Sequence, residues 1–299
     1  MPFLTNLVLQ QSTDRVFHLH VPANPAAATA PAIIVFHGGG QDPQTIARRW
    51  GFEPGAPVPA NVADYLIVFP EADARLGRWV HYRKSDSAFP TLDLEFVDAL
   101  LGTLASTQYA TGSAFQPTVS ADPDLGYAAG FSNGASMVWQ LMNSDLVDRF
   151  QGFAAVGMSL APEKAQRYRR VLAGSGAPLL PVPVVYIHGT GDQTYRAPAT
   201  LQEVPIDTTF PAQTVREMLD RNGVLPTTPS VTSVVPGSVN VTEVVVQEWV
   251  GTAAFTCVTV LNGGHNWPGA TTTGNPPVAG HFEATQAILD FWHAHASLP

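Results

Sequence analysis

Short, unbroken apolar runs alternate with amphipathic stretches along most of this chain. Residues 32–36 and 65–69 are continuously apolar, the pattern of a strand covered on both faces. Shorter runs of the same kind occupy 126–131, 153–156 and 182–187. Residues 15–21 alternate apolar and polar positions instead, as a half-exposed strand does, and a β-rich pair follows at 243–250 and 255–261. Between these runs, residues 93–104 repeat apolar side chains at Leu94, Val97, Leu100, Leu101 and Leu104, close to the 3.6-residue period of a helix. Residues 136–150 (Met137, Val138, Leu141, Met142, Leu146) and 282–296 (Ile288, Leu289, Phe291, Trp292) read the same way. Buried strands alternating with amphipathic helices predict βαβ units, hence an α/β fold with a mostly parallel central sheet and helices on both faces. There is no internal repeat. The Pro/Thr-rich stretches 194–211, 225–240 and 271–277 read as surface loops rather than linkers, so a single domain over 1–299 is expected.

Composition narrows the classes of function. Among 299 residues, 24 acids outweigh 15 bases to leave a formal charge of −9, and only 13% of residues are charged. Lys84 and Lys164 are the lysines. A nucleic-acid partner is therefore not expected, because phosphate binding needs a basic stripe. No apolar run approaches the roughly 18 residues that span a bilayer, so no membrane span is expected. A single cysteine, Cys257, excludes a disulfide within the chain and a thiolate zinc cluster. The first 13 residues lack the basic start and apolar core of a secretory signal. That fits a cytoplasmic protein or a secreted or periplasmic mature form. The oligomeric state is left open.

The strongest chemical signal is Gly130-Phe131-Ser132-Asn133-Gly134. A G-x-S-x-G match alone arises by chance, but here a buried strand leads in and a helical pattern leads out. That is the setting of a nucleophile elbow, in which a sharp turn projects the serine hydroxyl from the end of a strand. Serine at its ordinary pKa is a poor nucleophile and needs a base with an orienting partner. Asp192 ends His188-Gly189-Thr190-Gly191-Asp192, directly after run 182–187, and His265 lies in Gly263-Gly264-His265-Asn266-Trp267-Pro268-Gly269 after the last strand. The expected catalytic set is Ser132, Asp192 and His265, in an order that serine hydrolases use. Residues His37-Gly38-Gly39-Gly40 follow run 32–36. Backbone amides there suit an oxyanion hole, with Gly39 the first choice, Gly40 the second, and the amide of Asn133 as the other donor. A phosphate-binding turn is disfavoured, since neither a Lys-Ser/Thr nor a G-x-G-x-x-G register accompanies the glycines.

The remaining candidates are weaker. His18 and His20 share one strand face, which reads as solvated rather than metal-binding, and no metal or cofactor is expected. His37 and His188 read as supports for their loops. His293 and His295 face different ways on a helix, and His81 and His281 read as surface residues. Asn240-Val241-Thr242 fits a glycosylation acceptor, a triplet common by chance. Trp267, two residues past the expected base, and Trp79 are the expected substrate contacts.

Taken together, the four strings around Gly39, Ser132, Asp192 and His265 resemble those of polyhydroxybutyrate depolymerases and the related feruloyl esterases, over about residues 15–292. The resemblance implies an α/β-hydrolase fold, a serine esterase mechanism, and Ser132, Asp192 and His265 as triad. Many relatives carry a disulfide cysteine after an Asn-Gly like Asn222-Gly223, where this chain has Val224. A linker with a polymer-binding domain, as secreted depolymerases often carry, is not expected from these residues, so attack on insoluble polymer is not expected either. Stretches 105–124 and 196–210 look long for the family, as if to shape a distinct pocket. The expected activity is hydrolysis of small-molecule or oligomeric esters through an acyl-enzyme, first of hydroxyalkanoate type, alternatively of feruloyl or acetyl type. A serine peptidase and a non-catalytic polymer-binding protein are the rivals.

Overall fold

The structure, a computed structural model, describes residues 4–9, 15–53, 57–80, 91–160, 180–192, 210–224, 229, 231–236, 243–270 and 282–296. The strands are β1 (Leu4–Leu9), β2 (Arg15–His20), β3 (Thr29–Phe36), β4 (Leu66–Pro70), β5 (Tyr109–Ala110), β6 (Thr118–Phe131), β7 (Phe150–Val156), β8 (Val184–Gly189), β9 (Val231–Val235), β10 (Val244–Val250) and β11 (Ala254–Val260). The helices are α1 (Pro43–Arg49), α2 (Leu92–Ser106), α3 (Asn133–Met142), α4 (Phe210–Arg221) and α5 (Ala284–His295). Among the described residues the sheet runs β1-β2-β4-β3-β6-β7-β8-β11-β10-β9, with β5 on β6. Every pairing from β4 to β11 is parallel. The flanking pairs β1-β2, β2-β4, β11-β10 and β10-β9 are antiparallel. The mostly parallel α/β sheet follows from those unbroken apolar runs.

Side-chain alternation explains why the runs are unbroken. Ile34 and Phe36 enter one core with Phe96, Leu100, Met137 and Trp139 from α2 and α3. Ile33 and Val35 enter a second core, on the other face, with Ile46 and Trp50 at α1 and Ile288, Leu289 and Trp292 from α5. Both faces of β3 are dry, so both sets of positions must be apolar.

Five readings need correction. Helix α3 stops at Met142 rather than continuing to residue 150, and all ten of its residues are buried. Its end is set locally: Asn143 Nδ2 donates to Trp139 O at 2.7 Å and Ser144 Oγ to Leu141 O at 2.8 Å, bonds that compete with a continuing helix. Strand β9 lies inside the stretch read as loop 225–240, and α4 begins at Phe210, within the stretch read as loop 194–211. His18 and His20 are buried at 3% and 4% exposure, not solvated, because Gln44 of α1 meets His18 and Phe52 and Ala63 meet His20 on that face of β2. Finally, the hairpin β5–β6 within 105–124 sits at the N-terminal end of β6, opposite the end that carries Ser132, so it shapes no pocket there. Residues 196–209, Asn240-Val241-Thr242, His81 and His281 lie outside the described residues.

Candidate active site

Strands β3, β6, β7, β8 and β11 are neighbours and parallel, so their C-terminal ends share one sheet edge. That edge carries, in order, the 37–40 loop, Ser132, Gly157, Asp192 and His265. Chain segments more than a hundred residues apart meet there because the sheet is parallel, the general reason such edges host ligands.

Ser132 caps α3 with φ 53° and ψ −114°, a conformation rarely adopted by residues other than glycine. The turn is possible because Gly130 and Gly134 have no Cβ. At Gly134 one would lie 2.1 Å from Phe36 O, and at Gly130 2.3 Å from Gly134 O. Ser132 N–H donates to Val156 O at 2.8 Å, and its carbonyl accepts from Ser136 N at 3.1 Å. The elbow is thereby pinned to β7 and to the first turn of α3.

The structure brings Ser132, His265 and Asp192 together. Ser132 Oγ lies 2.8 Å from His265 Nε2, and His265 Nδ1 lies 2.7 Å from Asp192 Oδ2. A carboxylate only accepts, so Nδ1 carries the proton and Nε2 is free to accept from the serine hydroxyl. Asp192 is 4% exposed and His265 24%: the orienting carboxylate is dry while the imidazole reaches the solvent edge. The two loops that carry them are laced by two backbone–backbone bonds and one backbone–side-chain bond. Thr190 N donates to Val260 O at 3.0 Å, Gly191 N to Gly263 O at 2.9 Å, and Asn262 N to Thr190 Oγ1 at 2.7 Å. Aspartate and histidine therefore arrive as one unit.

Gly157, which sequence reasoning missed, completes the seat of the imidazole. It has φ 70°, and a Cβ there would press on Phe131 at 3.1 Å and on His265 Cε1 at 3.4 Å. The available signal was a glycine directly after the buried run 153–156. Phe131 packs its ring 4.9 Å from that of His265 and carries Arg49 over its face at 4.1 Å.

The loop after β3 is held by side chains. Ala72 N donates to His37 Nε2 at 3.1 Å, so the proton is on Nδ1, which donates to Gly38 O at 2.8 Å. Gly38 O also accepts from Gln41 N at 3.2 Å. In a planar trans peptide the next N–H points opposite that carbonyl, so these bonds fix the direction of the Gly39 amide. Gly39 lies against Asn133, 3.4 Å from its Cβ to a Cβ built on the glycine. Gly40 is corrected as a donor: its amide is already given to Gly77 O at 3.2 Å. Burial pushes the His37 imidazole below its ordinary pKa, consistent with a neutral, structural ring.

His188 is likewise neutral and structural. It stacks on Tyr186 with centroids 5.1 Å apart and shares a 3.2 Å hydrogen bond with Thr259 Oγ1. Burial pushes its pKa down to about 4, although nearby Asp192 pulls the other way. His293 meets Tyr65 Oη at 2.8 Å, and His295 approaches Glu248 at 3.5 Å.

Both tryptophans expected at the substrate are buried instead. Trp79 is 0% exposed and Trp267 3%. Trp267 donates its indole N–H to Thr285 Oγ1 at 3.2 Å and packs 6.0 Å from Trp50, anchoring the loop after His265 to the α1/α5 face. Trp79 donates its indole N–H to His37 O at 2.9 Å, beneath the loop rather than above it. Among the described residues, no group of three or more His, Cys, Asp or Glu is placed to hold a metal ion, and no helix is long and apolar enough to cross a membrane.

Comparison with known proteins agrees with this architecture. An acetyl xylan esterase from Aspergillus awamori superposes with a TM-score of 0.55 at 15% identity, over 87% of this chain and 93% of that one. The fold is that of the α/β-hydrolases. The chain is also 27% identical over 297 residues to "Putative esterase NocK" of Nocardia uniformis subsp. tsuyamanensis, covering 95% of this chain and 79% of the relative. A poly(3-hydroxybutyrate) depolymerase, LpqC from Bordetella parapertussis, superposes with a TM-score of 0.41 at 18% identity, over 70% and 71% of the two chains. No family model matches the chain.

Proposed function

We propose that the protein is a serine carboxylic ester hydrolase that works through an acyl-enzyme. The observation that carries this reading is the continuous line Ser132 Oγ–His265 Nε2 at 2.8 Å and His265 Nδ1–Asp192 Oδ2 at 2.7 Å. His265 takes the hydroxyl proton as Ser132 Oγ bonds to the ester carbonyl carbon, and buried Asp192 orients the imidazole and stabilises the imidazolium. The carbonyl oxygen becomes an oxyanion facing the amides of Gly39 and Asn133, at the positive end of α3. Collapse breaks the ester C–O bond, and His265 returns its proton to the leaving alcohol. Water then enters, loses a proton to His265, and releases the acid while Ser132 recovers its hydrogen.

The elbow and triad would equally serve amide cleavage. The kinship with a chain named as an esterase, together with the esterase-like strings around Ser132 and His265, favours the ester. Within that class we assign hydroxyalkanoate oligomers as the first substrates to test, on the strength of those strings, with acetyl and feruloyl esters as the alternative. A surface of low charge density fits a neutral substrate.

Ser132→Ala should lower turnover of a short-chain nitrophenyl ester by roughly 10⁴ or more. Side-by-side rates on hydroxybutyrate oligomers, methyl ferulate, nitrophenyl acetate and a matching anilide then rank the acyl and leaving groups. A Ser132→Ala variant that retains most of the ester activity contradicts the assignment.

A further inference from the structure

Residues 77–80 run beneath the candidate oxyanion site and touch both of its halves. Asn133 Oδ1 accepts from Trp79 N at 2.7 Å, and Asn133 Nδ2 donates to Trp79 O at 3.1 Å. The side chain of the residue after Ser132 thus pairs with both backbone polar groups of a single residue 54 positions earlier. The same segment grips the loop of Gly39. Trp79 Nε1–H donates to His37 O at 2.9 Å, and Gly77 O accepts from Gly40 N at 3.2 Å.

The far end of the segment is fastened by a buried ion pair. Val80 N donates to Asp93 Oδ2 at 2.6 Å, and Asp93 Oδ1 lies 2.9 Å from the Arg15 guanidinium. Arg15 also donates to Glu71 O at 3.1 Å and lies over the Phe96 ring at 4.1 Å. Asp93 and Arg15 are 0% and 3% exposed. A carboxylate this dry persists only with a fixed partner, so β2, α2 and the segment are held in one arrangement.

We propose that residues 77–80 are a strap that sets the spacing between the two oxyanion donors, with Asn133 and Trp79 as its positioning side chains and the Arg15–Asp93 pair as its anchor. This rests on the ester-hydrolase reading. One donor amide belongs to Gly39 on the loop and the other to Asn133 on α3. The β3–β6 ladder ends at Phe36 and Gly130, and among the described residues no backbone hydrogen bond joins residues 38–40 to residues 132–136. The strap bonds to each of them. The oxyanion is present in the tetrahedral intermediate and its flanking transition states but not in the bound ester, so an error in donor spacing lowers kcat and leaves ground-state binding alone.

The test uses the full chain with three variants. Asn133→Ser loses both bonds to Trp79. Asn133→Asp keeps the acceptor but turns an oxygen toward Trp79 O. Trp79→Phe keeps both backbone bonds to Asn133 and a six-membered aromatic ring, and loses the indole N–H together with the fused five-membered ring. The readouts are kcat and KM on a nitrophenyl ester, affinity for an alkylboronic acid that forms a tetrahedral adduct on Ser132, and thermal melting. Both Asn133 variants should lose about 10²-fold in kcat, the scale of one oxyanion donor, with KM within about two-fold of wild type. Trp79→Phe should lose less, again in kcat alone, and boronic acid affinity should fall in parallel with kcat. Absence of Ser132-dependent turnover in the wild type overturns the ester-hydrolase reading. Wild-type turnover with kcat retained in Trp79→Phe and in every folded Asn133 variant overturns the strap. So does a loss that vanishes when rates are scaled to the folded fraction. If the Asn133 variants do not fold, Trp79→Phe decides.

Discussion

At the scale of single residues, the site depends on groups that are kept neutral, kept dry or kept small. His188 is the clearest case of the first. Burial pushes its pKa down to about 4 from the ordinary 6.5, so an unfolded chain binds a proton below pH 6.5 that the folded chain refuses until about pH 4. Its contribution to stability is complete above pH 6.5 and is lost as the pH falls toward 4, at up to roughly 1.4 kcal/mol per pH unit. Thermal melts between pH 7 and pH 4.5 should show the decline, and His188→Asn should flatten part of it; identical slopes in the two proteins would refute the assignment. His37 follows the same logic, since its Nε2 must stay unprotonated to accept from Ala72 N. Which residues converge was legible where chemistry and spacing coincide, as at Ser132, Asp192 and His265. It was not legible at Trp79 and Trp267. A tryptophan near a motif looks the same in sequence whether it lines a cleft or supports its floor, and only packing separates the two. Gly157 was hidden for a similar reason, because its constraint comes from Phe131 and His265, far away in the chain.

At the scale of elements, the strands of the central sheet were readable because each is apolar on both faces, and α2 because its apolar residues recur at helical spacing. Strand β9 was not: its residues are largely exposed, with Val231 at 53% and Val234 at 48%, and its identity comes from pairing with β10 rather than from its own pattern. Helix α3 was readable in place but not in length, since residues 143 and 144 end it through side-chain bonds that periodicity does not register. Its C-terminal carbonyl at Met142 is taken by Arg221 of α4 at 2.7 Å, a contact no local pattern announces. Helix α2 offers a clean test of element-level reasoning. Gly102 lies inside Leu92–Ser106, and a Cβ there meets nothing within 4 Å. Gly102→Ala should therefore stabilise the protein by about 0.5–1 kcal/mol through backbone entropy, without changing turnover. An unchanged or lowered denaturant midpoint would contradict this.

At the scale of the whole molecule, the parallel sheet turns sequence distance into spatial order. The 37–40 loop, Ser132, Asp192 and His265 follow β3, β6, β8 and β11, which lie side by side apart from β7, and Gly157 follows β7. The acidic, lysine-poor composition says nothing about this fold. If these separate segments make one activated serine, brief exposure of the intact protein to a fluorophosphonate probe should add the mass of one adduct per chain, mapped by peptide fragmentation to Ser132, and labelling should be strongly slowed in His265→Ala. An unmodified protein, or an adduct on another residue with Ser132 untouched, would contradict it.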